Sequence, residues 1–130
     1  MTYSPFRIAV PDEVLDDLRA RLARTRFTDR SGDQPWQAGA DPDYLHDLVS
    51  YWVDGFDWRA REAELNALPH YQAQIGGQRM HFVRVPAVRP AGAPAPLPLV
   101  LSHGWPSSFV EMLPLVDRLT NRYLMSKRDS

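Results

Sequence analysis

The chain has 130 residues, enough for one small domain with a modest core, and no independent second domain is expected. Its 44% hydrophobic and 24% charged residues are a globular composition, with disorder expected only at the ends. The 15 basic and 16 acidic side chains leave a formal charge of -1, which gives no field to hold nucleic acid or an anionic membrane, and a cysteine count of 0 excludes disulfides, thiolate catalysis and Cys-based zinc sites. Residues 1–8 hold no long apolar run behind a basic flank, and no stretch nears the roughly 18 apolar residues of a membrane span. Neither a signal peptide nor a membrane span is therefore expected, and the cytoplasm is the default compartment.

The first predicted element opens at Pro11, Asp12 and Glu13, where Val14, Leu15, Leu18 and Leu22 recur at helical spacing, with Arg19, Arg21 and Arg24 toward the end. A loop with Gly32, Pro35, Trp36 and Gly39 follows. Asp41-Pro42 then supplies an N-cap and a first-turn proline for a second helix with the apolar stripe Leu45, Leu48, Val49 and Trp52. Asp57 is placed to cap a third helix running toward Leu68 and stopped by Pro69. Next come two β-like runs, residues 71–75 and 79–85, separated by Gly76, Gly77 and Gln78, the pattern of a hairpin. Five prolines between residues 86 and 98 make an exposed connection that can form neither helix nor ladder. Leu99, Val100 and Leu101 read as a strand buried on both faces, and helical spacing returns at Phe109, Val110, Leu113 and Leu119.

The turn His103-Gly104-Trp105-Pro106 thus joins a strand to a helix, where backbone N–H groups point at the space above a sheet's carboxyl edge. Gly104 lets the backbone approach a ligand, Pro106 removes a competing donor, and Trp105 keeps a free N–H. Donors aimed in advance are what the oxygen of a tetrahedral intermediate needs. The plainer reading of Gly-Trp-Pro is a tight turn around a buried indole, and spacing alone does not choose between the two.

Residues 99–108, Leu-Val-Leu-Ser-His-Gly-Trp-Pro-Ser-Ser, closely resemble the His-Gly-Trp-Pro segment of epoxide hydrolases of the microsomal type, in the α/β-hydrolase superfamily. Upstream, Pro5-Phe6, residues 10–26, Tyr44-Leu45, Trp52, Phe56-Asp57-Trp58-Arg59, Glu62, Leu65-Asn66, Ile75-Gly76-Gly77 and His81-Phe82 resemble that family's amino-terminal region in order. The resemblance covers residues 2–120 and implies an α/β class, an incomplete α/β-hydrolase of amino-terminal helices, a β-hairpin, one buried strand and the following helix. The first domain is then residues 1–120, including the start of the hydrolase core, and residues 121–130 are a divergent polar tail.

The same resemblance implies a two-step reaction on a small-molecule epoxide, in which an aspartate opens the ring to give an ester that a histidine-activated water hydrolyses. It maps an oxyanion-hole backbone N–H onto Trp105, with His103, Gly104 and Pro106 supporting the turn, and implies a cis Trp105-Pro106 peptide and an indole that lines the substrate pocket. No cofactor is implied. The sequence departs from the family in holding no Gly-x-Asp-x-Gly or Gly-x-Ser-x-Gly elbow, so no nucleophile can be assigned, nor can the late histidine and acid or the cap tyrosines. A truncated product or fragment, inactive alone and prone to self-association through an open strand edge, is the expectation. The alternative is a non-enzymatic interaction fragment that complements a separately encoded remainder.

Other residues carry weaker signals. His46, His70, His81 and His103 have no metal-site spacing, and isolated histidines are more often surface or core residues. Asp16-Asp17, Asp41 and Asp43 could pair as carboxylates but read first as helix-end acids. Trp36, Trp52 and Trp58 could line a ligand groove but read first as core material, and Ser102, Ser107 and Ser108, with no paired base, read as small polar residues.

Overall fold

A computed structural model describes residues 2–29, 32, 34–89 and 91–120. The tail 121–130 lies outside the described residues. The chain divides into two compact units, Ile8–Leu65 and the combination of Met1–Arg7 with Asn66–Ser130.

The first unit is helical, with α1 at Asp12–Leu22, α2 at Pro42–Asp54 and α3 at Trp58–Leu65. Helix α1 starts after Pro11 with Asp12 and Glu13 in its first turn and carries Arg19 and Arg21 in its last, so both ends complement the helix dipole. Asp41 caps α2 as the sequence predicts, its Oδ1 accepting from the Asp43 N–H at 3.0 Å and the Tyr44 N–H at 3.4 Å, with Pro42 in the first turn. Because Asp41 is only 5% exposed, water cannot replace the lost acceptor, and Asp41→Ala is expected to cost about 1 kcal/mol of stability. Urea unfolding of the two chains measures it.

Helix α3 is capped by Asp57, which accepts from the Ala60 N–H at 2.9 Å. It ends at Leu65, short of the expected Leu68, because Pro69 drives the residue before it to extended geometry and Asn66 favours a turn. The Val10 N–H donates to Glu62 Oε1 at 2.7 Å, and Arg59 bonds both Glu62, at 2.6 Å, and Asp12, tying the start of α1 to α3. The Val10 bond, then the Arg59 guanidinium, holds the Glu62 carboxyl below its ordinary range. Leu15, Leu18 and Leu22 of α1 and Leu48, Tyr51 and Trp52 of α2 line, with Phe56 and Trp58, a half-open pocket of about 430 Å³.

The second unit holds an antiparallel sheet in the order β1 (Tyr3–Pro5), β2 (His70–Ile75), β3 (Gln78–Val83). Gly76 and Gly77 have φ of +57° and +77°, the left-handed pair a two-residue hairpin turn requires. Gln78, expected in the turn, instead pairs with Ile75, and the second strand ends at Val83 rather than Val85. Strand β1, which sequence reasoning missed, is an edge strand, where Pro5 has no ladder bond to lose. Tyr3, Tyr71 and Phe82 cluster on one face with ring centroids 5.1 to 5.8 Å apart. The opposite face carries His70 and His81.

Residues 99–101, expected as a buried strand, form none here. Leu99 is 65% and Val100 90% exposed. A strand buried on both faces needs ladder neighbours, and the β1-β2-β3 sheet supplies none to this run. A 3-10 turn at Phe109–Met112 leads into α4, Leu113–Thr120, in place of one continuous helix. The Val88 N–H donates to the Thr120 carbonyl at 2.9 Å, tying the proline-rich connection to the end of α4.

Candidate active-site turn

The Trp105-Pro106 peptide is cis, as the resemblance implied. Among the described residues no acceptor takes the Trp105 N–H, which is left available to an external oxygen. Trp105 is 88% exposed, so no contact of its indole holds the turn among the described residues. The His103 ring lies with Nδ1 2.9 Å from the Gly104 carbonyl oxygen, and since a carbonyl only accepts, the proton sits on Nδ1. That bond fixes the imidazole against its own backbone. A Cβ built on Gly104 would meet nothing within 4 Å, so packing does not demand glycine at this position.

The turn is anchored on its carboxyl side. Ser107 Oγ donates to Glu111, and the Glu111 N–H donates to the Ser108 carbonyl at 3.1 Å. Sequence reasoning set Ser107 aside; the available signal was Ser108-x-x-Glu111, which has the spacing of a capping box, although the structure uses the preceding serine. Phe109 then packs edge-on against His70 and His81, with centroids 5.7 and 5.1 Å away.

His70 and His81, eleven residues apart along a hairpin, are diagonal neighbours on one face. His70 pairs with Val83 while His81 pairs with Gln72, and His70 Nδ1 lies 2.9 Å from His81 Nε2. The ring planes lie within 24° of one another, His70 is 3% exposed, and Phe6 packs on His81 at 5.3 Å. No motif announces this pair; only the register of the hairpin does.

Burial, and secondarily the charge of His70, holds the His81 imidazole below its ordinary 6.5. The unfolded chain then binds more protons than the folded one, so this stabilisation is complete above 6.5 and drains as the pH falls below it toward the folded value. Thermal melts from about pH 7.5 to about pH 5.5 should show the midpoint falling, with a shallower fall in His81→Phe.

The remaining candidates resolve into structure. Asp16 pairs with Arg19 at 3.1 Å and Asp17 with Arg21 at 2.8 Å, both on exposed helix surface. His46 packs on Phe27 and Trp36 on Tyr44, each at 5.1 Å. No helix among the described residues is long and apolar enough to cross a membrane.

The family described as "Epoxide hydrolase N terminus" matches residues 3–112, and the chain belongs to it. Epoxide hydrolase 1 of Sus scrofa is 36% identical over 118 residues, covering 90% of this chain and 26% of its own length. Aspergillus niger epoxide hydrolase superposes with a TM-score of 0.73 at 32% identity, over 90% of this chain and 30% of that one. Juvenile hormone epoxide hydrolase from Bombyx mori superposes at 0.82 with 28% identity, over 92% and 32%. The fold is thus the leading part of an α/β-hydrolase of the epoxide hydrolase type, and the chain spans about a quarter of the length of the Sus scrofa relative.

Proposed function

We propose that residues 1–120 are the amino-terminal portion of an enzyme that hydrolyses epoxides to diols, and that residues 121–130 are a divergent tail. The observation that carries this is the unclaimed Trp105 N–H at a cis peptide inside the matched family region. In the intact enzyme a carboxylate opens the epoxide ring, and the resulting ester passes through a tetrahedral intermediate whose oxygen is held by the Trp105 N–H. His103, locked to Gly104, and Pro106, which offers no competing N–H, hold that donor in place, and the Trp105 indole meets the substrate. The chemistry of the remaining groups falls to sequence outside these 130 residues, which hold no nucleophile elbow.

The purified chain should accordingly show no turnover of styrene oxide or stilbene oxide above a heat-killed control. Residues 2–120 fused in place of the matched segment of Aspergillus niger epoxide hydrolase should restore it. A folded but inactive fusion speaks against the proposal, as does turnover by the chain alone. Leu97, Leu99 and Val100, at 92%, 65% and 90% exposure, favour one further reading, a fragment that associates with a separately made remainder or with itself.

A further inference from the structure

The oxyanion reading leaves one pair of polar groups on the sheet, His70 buried and His81 half-buried, without a task. His70 and His81 contact one another at 2.9 Å, sit against Phe6 and receive Phe109, the first residue of the 3-10 turn. Two residues before Phe109, Ser107 is bonded to Glu111 on that same turn, and two residues before Ser107 stands Trp105. Contacts therefore run from the sheet through Phe109 to the 3-10 turn and Ser107, from which two residues of covalent chain lead back to the donor peptide.

Hydrophobic packing alone would be served as well by leucine or valine at these strand positions. A hydrogen-bonded imidazole pair adds a fixed ring orientation, because the 2.9 Å contact needs one protonated and one bare nitrogen in line. Two rings so fixed present Phe109 with one edge-on seat. Orientation matters at the far end, since a displacement of order 1 Å in a catalytic donor costs about 100-fold in rate.

We propose that His70 and His81 are positioning residues for the Trp105 N–H, acting through Phe109 and the Ser107–Glu111 bond. This rests on the oxyanion reading of Trp105. Its test reads position directly, in the full chain carrying Val100→Lys to hold it monomeric, by the 1H–15N amide resonances of Gly104 and Trp105. His81→Leu should shift both amides while those of Gly76 and Gly77, at the tip of the same hairpin, and of Gly55 stay in place. With Ser107→Ala present, the shift that His81→Leu causes at Trp105 should fall by at least half.

Unmoved Gly104 and Trp105 amides in His81→Leu overturn the proposal, as does a Trp105 shift unaffected by Ser107→Ala. If His81→Leu loses the dispersed Gly76 and Gly77 signals of the folded hairpin, His81→Phe, which keeps a ring between Phe6 and Phe109, is read by the same two criteria. The oxyanion reading fails separately: removing the Trp105 N–H would then leave ester hydrolysis unchanged in the Aspergillus niger fusion, whatever the amide shifts show.

Discussion

Replacing the Trp105 backbone N–H by an ester oxygen, in the active fusion, should slow hydrolysis of the covalent ester about 100- to 1,000-fold, the usual cost of one oxyanion donor, so that this step comes to limit turnover. The substitution keeps the indole and Pro106, exchanges the N–H donor for an oxygen that cannot donate, and makes the Gly104 carbonyl a weaker acceptor for His103. It removes a bond made to the tetrahedral oxygen and absent from the neutral epoxide, so kcat should fall and KM should fall with it, kcat/KM staying set by ring opening. Ring opening by the carboxylate generates no tetrahedral oxyanion and should keep its rate. The expected kinetic signature is therefore a burst of ring opening followed by slow release of diol, read by stopped-flow and steady-state assays on one preparation.

Unpaired, the 97–101 run should drive the isolated chain into oligomers at micromolar concentration, with bound ANS. Leu97 and Val100 are 92% and 90% exposed, and an unpaired extended segment offers its backbone donors and acceptors to another chain. Burying an aliphatic side chain yields about 1.5 to 3 kcal/mol, so two copies of Val100 across a self-paired edge contribute at least about 3 kcal/mol. Val100→Lys removes that term and opposes two like charges, so association should weaken about 100-fold or more. Size-exclusion chromatography with light scattering compares the two chains. A sharp monomer peak for the unmodified chain, with cooperative unfolding and no dye binding, would show that the run needs no cover.

Much of the local structure could be read from the sequence because its causes are local. Asp41-Pro42 caps its helix through bonds two and three residues on, Asp57 does so three residues on, and Gly76-Gly77 alone can adopt the left-handed pair of the hairpin turn. The turn at residues 103–106 stood out through Gly104 and Pro106 and through the family resemblance, which alone implied the cis peptide. What escaped depends on partners far along the chain. Strand β1 is three residues long and exists only because β2 pairs with it, and the Arg59–Asp12 bond spans 47 residues. The His70–His81 pair needed the hairpin register, in which a one-residue slip would send the rings to opposite faces. Leu99 to Leu101 failed in the other direction: the apolar run states what the segment is suited to, while its pairing depends on a neighbour that the three-stranded sheet does not provide.

Rapid-quench mass spectrometry of the fusion with excess styrene oxide tests the role of Trp105 most directly, because it sees the ester itself. With the native Trp105 N–H, the fraction of protein carrying one added substrate mass should remain small throughout turnover. With the ester oxygen at residue 105, that fraction should rise to nearly the whole protein and decay about 100- to 1,000-fold more slowly. Equal, small populations of the adduct in both proteins, with equal rates of diol release, would contradict the assignment of the 103–106 turn as an oxyanion hole.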